Sequence, residues 1–152
     1  MASFISESIN TVTAILREET PTLLKAMETP RDPFRGYGVA FAGIMPSPPW
    51  CWVMPRVTDF GPEGQVQDQG DAVTVKFGII GADPEALAQA MLDYVKAVSL
   101  ALQLTPVGQY DSTVMNIFVE RHDYGPLYQK DGGFARFPEV HLVVTRREVI
   151  QQ

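Results

Sequence analysis

One strand and the helix that follows it constrain this chain more than any other feature. Over Ala72–Ile80, Val73, Val75, Phe77 and Ile79 alternate with Thr74, Lys76 and Gly78, which predicts a strand with one apolar face. Gly81-Ala82 is a turn, and Asp83-Pro84-Glu85 then has the chemistry of a helix start. Asp83 accepts from free backbone amides, Pro84 has no amide to leave unpaired, and Glu85 suits the positive end of the helix dipole. Leu87, Met91, Tyr94, Val95, Val98 and Leu102 recur at helical spacing, so the helix is expected over Asp83–Gln103, stopped by Thr105-Pro106 and Gly108. Two strongly one-sided elements joined by two residues hide their apolar faces best against each other. The expected class is α+β: a mostly antiparallel mixed sheet with one long central helix packed on it.

The flanks fill in that frame. Ile5, Ile9, Val12 and Leu16 form an apolar stripe in Phe4–Met27, which predicts an N-terminal helix capped by Ser3 or Ser6. Thr20-Pro21 either starts a second short helix or kinks the first. Thr29–Gly38 is a loop, and Val39–Met45 reads as a strand broken by Pro46, Pro48 and Pro49. Cys51–Thr58 reads as a second strand, with Pro55 marking an edge or a bulge. Gly61–Gly70 is polar and glycine-rich and is expected to be a long mobile hairpin loop. Thr113–Glu120 and Glu139–Thr145 are β-rich, and Arg121–Pro138 reads as a second long connection. There is no internal repeat, and 152 residues are expected to form a single domain, residues 1–152.

Composition excludes several function classes. The chain has one cysteine, Cys51, so an intramolecular disulfide is impossible, and a thiol between Trp50 and Trp52 reads as a small buried hydrophobe. No run reaches the roughly 18 apolar residues of a membrane span, and the N-terminus lacks a basic region followed by an apolar run. The expectation is a soluble protein made in the cytoplasm. Net charge is -6, and Asp59–Asp93 holds Asp59, Glu63, Asp68, Asp71, Asp83, Glu85 and Asp93 against Lys76 alone, which is the whole imbalance. Such a segment repels phosphates, so sequence-specific nucleic-acid binding is not expected.

No constellation for catalysis, cofactor or metal binding is legible, so the expected protein is not an enzyme and has no cofactor. His141 lies in a strand whose Val140, Leu142 and Val144 take the other face, and reads as a sheet-surface residue. His122, in Glu120-Arg121-His122-Asp123, is placed for a general base but reads better as a solvated loop residue. Neither histidine has a second His or Cys at metal-ligand spacing. Ser47, Ser112 and Cys51 lack an elbow motif, and Asp131-Gly132-Gly133 lacks the helix start of a phosphate cradle. Arg146-Arg147 reads as the charged end of the last strand.

What remains is surface. Tyr124, Leu127, Tyr128, Phe134 and Phe137 are many apolar side chains for one loop, and they either cover the core or form a protein-interaction patch. Glu63, Asp68 and Asp71 are the candidate acidic loop or channel face.

The order of elements, together with Val73-Thr74-Val75-Lys76-Phe77, Asp83-Pro84-Glu85-Ala86-Leu87 and Phe137-Pro138-Glu139-Val140-His141-Leu142-Val143-Val144, resembles the tail terminator and tail-completion proteins of long-tailed bacteriophages. The resemblance spans about Phe4 to Val149. It implies a homo-oligomeric ring, a hexamer, at the head-proximal end of the tail tube. Such a ring stops tube polymerisation and docks the head or neck. The implied partners are a second copy of the chain, the tail tube protein and a neck or head-completion protein, with no membrane. Genomic DNA passes through such a ring without sequence-specific contact, past an acidic surface, and the implied location is the virion. Three other readings stay open: a head–tail connector or neck protein, a small-ligand-binding or regulatory α+β domain, and an enzyme using His122 or Asp123.

Overall fold

The computed structural model describes residues 5–43, 45–60 and 66–149. In chain order these form α1 (Ile5–Lys25), β1 (Tyr37–Gly38), β2 (Trp50–Phe60), β3 (Val66–Gly81), α2 (Pro84–Leu104), a short 3-10 turn (Val107–Gln109), β4 (Val114–Asp123), β5 (Leu127–Lys130), β6 (Gly133–Arg136) and β7 (Glu139–Val149). The class is α+β. One sheet carries both helices on the same face, and its pairings are antiparallel except for the two-residue parallel bridge between β1 and β2. No helix among the described residues is long and apolar enough to cross a membrane.

The core forms where the alternation of β3 places it. Val73, Val75, Phe77 and Ile79 are buried, and they meet Leu87, Met91, Tyr94, Val95, Val98 and Leu102 of α2, every residue of its expected stripe. Cys51 and Val53 of β2 and Val140, Leu142 and Val144 of β7 extend the same layer. Asp83 caps α2, its side chain accepting from the Ala86 amide at 3.1 Å with Pro84 in the first turn. Asp83→Ala is expected to cost about 1 kcal/mol, lowering the melting temperature by about 2–4 °C, whereas Asp83→Asn retains most of it. Thermal denaturation followed by circular dichroism checks this.

At Thr20-Pro21 the helix does not restart: α1 runs unbroken through Pro21. Pro21 withholds one amide from the ladder, while the turns on either side are held by Leu16 and Leu24, both fully buried. The Thr20 hydroxyl donates to the Leu16 carbonyl at 2.5 Å instead of capping a second helix. At Pro55 the bulge is present, with the β2–β3 register shifting between Pro55 and Val57.

Three expected elements differ. Val39–Met45 is not a strand in its described residues; the parallel bridge ends at Gly38. Phe41 instead turns onto the outer face of the sheet and packs against Trp52 (4.8 Å between centroids) and Phe137 (5.4 Å). Gly78 makes room, because a Cβ there would lie 2.3 Å from the Met45 sulfur. The expected mobile loop Gly61–Gly70 is also shorter, because Val66–Gly70 belong to β3. Gln69 and Gly70 pair with Phe60 and Asp59 on one side and with Arg146 and Thr145 on the other. Ladders on both flanks order a segment that its composition alone would leave unfolded; positions 61–65 lie outside the described residues.

The largest difference is Arg121–Pro138. It is not a loop but the distal half of one long hairpin, in which β4 and β5 run against β7 and β6. Asp131 (φ 44°) and Gly132 (φ 80°) close it. Two successive left-handed residues are what a tight two-residue hairpin turn requires, and Asp-Gly is among the pairs that tolerate it best. β7 pairs with β3 up to Lys76↔Glu139, and β6 resumes on the same strand at Ile79↔Arg136, with Phe137-Pro138 as the break between them.

Candidate functional site

The outer face of the sheet, opposite the helices, carries the concentration of chemistry. Even-numbered residues of β3 from Asp68 onward point here, so Thr74 and Lys76 stand beside His141 and Glu139 of β7, and Asp123 of β4 stands opposite Glu139. Phe41, Tyr128 and Phe137 wall a cleft of about 580 Å³ above them, with Lys76, Asp123 and Glu139 in its lining. Phe137 is the hub of that wall, 5.8 Å from the Tyr128 ring and 6.5 Å from the Trp52 ring. Lys76 Nζ lies 4.4 Å from the centre of the Phe41 ring and 3.1 Å from Glu139 Oε2.

His141 is buried, not displayed on the sheet surface as expected. Its Nδ1 lies 3.1 Å from Thr74 Oγ1, and its Nε2 lies 3.1 Å from Glu139 Oε1. Burial first, then the Arg56 and Arg121 guanidiniums, hold the imidazole below its ordinary pKa against the opposing pull of Glu139 and Asp123. One donor atom from each of Asp123, Glu139 and His141 falls within 4.8 Å of the others.

Other titratable residues are separated by the same alternation. His122 follows Arg121 on β4, yet points toward α2, with Nε2 2.8 Å from Ser99 Oγ. It is exposed and belongs to a strand, not a loop. His122 and Asp123 are therefore neighbours in sequence on opposite sides of one strand. Cys51 is fully buried, and burial pushes its thiol far above the ordinary value. Arg146, read with Arg147 as the charged end of the last strand, is buried and pairs with Asp111 at 3.0 Å and Glu7 at 3.3 Å, while Arg147 is exposed and pairs with Asp68.

The five candidate interface residues do not form one surface. Tyr128 and Phe137 face the cleft. Leu127 and Phe134 lie on the opposite face of the β5–β6 hairpin, because Tyr128 pairs with Ala135 and Leu127 with Arg136. Phe134 packs against the core, and Tyr124 packs edge-on to His122. Tyr124, Leu127 and Tyr128 are exposed. The acidic set divides too. Glu63 lies outside the described residues, and Asp68 is exposed. Asp71 is fully buried on the core face, accepting from Ser8 Oγ (2.5 Å), Thr58 Oγ1 (2.8 Å) and Gln69 Nε2 (3.0 Å), so it is not part of an acidic loop or channel face.

The grouping of Asp123 with Glu139 and His141 is not legible in the sequence, where neither histidine has a second His or Cys at ligand spacing. The spacing Glu139-Val140-His141 was a partial signal, since residues two apart in a strand share a face. The register that brings Asp123 opposite was not readable. No protein-family model matches this chain, and no curated protein matches it.

Proposed function

We propose that this chain is a structural subunit of a tail terminator-like ring, a hexamer that closes the head-proximal end of a phage tail tube and docks the neck. It acts by assembly and not by catalysis. One observation supports this reading above the element order: the sheet has two unlike edges, each carrying exposed apolar side chains. Beyond Trp52, β2 has no partner on its outer side among the described residues, and Val57 and Phe60 are 50% and 56% exposed. At the other side β4 pairs, among the described residues, only with β7, and Met115 and Phe118 are 45% and 60% exposed. An open edge is a row of backbone groups ready to pair with another chain. Two different edges make a head-to-tail contact, which closes into a ring when the rotation per subunit allows it.

Ring formation is expected to rise with protein concentration and with added salt, which screens repulsion between subunits that each carry a net charge of -6. Phe118→Lys is expected to keep the protein monomeric and folded. Light scattering across protein and salt concentrations, with imaging of tail tube ends, tests this. A chain that stays monomeric throughout and does not bind tube ends refutes it. The images also separate a terminator, seated on the tube, from a connector or neck protein seated on the head side. A small-ligand-binding domain is the second reading, and the aromatic cleft is the observation that favours it.

A further inference from the structure

We propose that Asp123, Glu139 and His141 form a three-ligand binding site for a divalent first-row transition metal of the zinc class. The ligands come from two hydrogen-bonded strands. Glu139 and His141 are two apart on β7 and share its outer face, and Asp123 is the direct cross-strand partner of Glu139. Directly opposed residues bring their Cβ atoms to about 5 Å, so the sheet itself presents three donor groups around one point.

His141 points to a cation more sharply than a group of carboxylates does. Its side chain is 7% exposed, and Nε2 is buried with no hydrogen-bond partner among the described residues, although Glu139 Oε1 is 3.1 Å away. The approach is misaligned for N–H donation. With Nδ1–H donating to Thr74 Oγ1, Nε2 is an acceptor lying beside a carboxylate oxygen that is also an acceptor, an arrangement that a metal ion bound to both turns from repulsive to attractive.

One atom of each ligand side chain is already held by a neighbour. Thr74 holds Nδ1 of His141, Lys76 holds Oε2 of Glu139, and the Gly125 amide donates to Oδ1 of Asp123 at 3.1 Å. Outer partners of this kind orient ligands and set the tautomer. One imidazole nitrogen with two carboxylates suits zinc and its neighbours, not calcium, which needs six or more oxygens. Donors within 4.8 Å of one another must close to roughly 3.4 Å for metal bonds of about 2.1 Å. Asp123, exposed at the end of β4, has the freedom to make that movement. Lys76, Arg56 and Arg121 oppose the ion's charge and set a moderate affinity.

Titration of the full chain with Co²⁺, read by its visible absorption and then displaced by Zn²⁺, tests the site. One equivalent is expected to bind with a dissociation constant on the order of 10 μM. His141→Gln and Glu139→Gln are each expected to weaken binding tenfold or more. Asp123→Asn, at an exposed position that folding does not need, and Thr74→Val, which touches no metal, are each expected to weaken it by about tenfold. His122→Ala is expected to leave binding unchanged. The Nε2 resonance of His141 is expected to move on Zn²⁺ addition while Nδ1 keeps its proton. Absence of binding at millimolar Co²⁺ overturns the proposal. So does binding that Asp123→Asn and Thr74→Val leave intact, or that His122→Ala removes.

Discussion

Phe77→Asp is expected to yield a chain that does not fold. Phe77 is fully buried at the centre of β3, with its ring 5.4 Å from Phe34 and 5.9 Å from Tyr94. Loss of such a ring costs about 3–5 kcal/mol, and an unpaired carboxylate in its place adds several more. Together these reach the whole stability of an ordinary domain, about 5–15 kcal/mol. Leu87→Asp is expected to do the same from the facing helix, where Leu87 is 3% exposed. Phe77→Ala separates the two terms: it folds, and its melting temperature falls by about 6–20 °C. Circular dichroism and amide chemical-shift dispersion check all three. Wild-type melting of the aspartate variants would show that α2 does not pack on this face of β3.

The second large effect is expected at Asp71, where the carboxylate joins three elements. It accepts from Ser8 on α1, Thr58 on β2 and Gln69 on β3. Asp71→Ala removes all three hydrogen bonds at a site where Ser8 and Gln69 are buried and Thr58 is half-buried. The expected loss is about 3–5 kcal/mol, since each stranded donor costs about 1–3 kcal/mol and hydroxyls reorient to recover part of it. Asp71→Asn keeps the shape and one acceptor oxygen, and is expected to lose about 1–2 kcal/mol. Asp68→Ala, only three positions away, is expected to change stability by less than about 0.5 kcal/mol, because its pair with Arg147 is half exposed. Urea denaturation of the three variants gives the ordering. A silent Asp71→Ala would return Asp71 to the acidic surface.

The contrast between Asp68 and Asp71 shows how far the sequence was legible. Both sit in a polar, glycine-rich stretch, and composition treats them alike. Their fates differ because Asp68 falls on the outer side of β3 and Asp71 on the core side, a distinction that exists only once the strand is known to begin at Val66. The distal hairpin has a local signal, Asp131-Gly132 between two short β-capable runs, a pair that suits a two-residue hairpin turn and does not need a phosphate to explain it. The failure of Val39–Met45 had no comparable signal. Phe41 is strand-like by type, but it packs on Trp52 and on Phe137, the latter contributed by a distant part of the chain.

By itself the sequence determined the α+β class, the β3–α2 pair, the cap at Asp83 and the identity of the core face, because each follows from periodicity and capping within single elements or between adjacent ones. Only the tertiary structure decided what depends on register between strands far apart in the chain. That includes the burial of Asp71, the division of the five aromatic and leucine candidates between two faces, and the meeting of Asp123 with Glu139 and His141. Alternation tells which residues of a strand share a side, but a shift of one residue in pairing changes every cross-strand neighbour. That register is set by bulges and turns along the whole hairpin, and no local pattern encodes it.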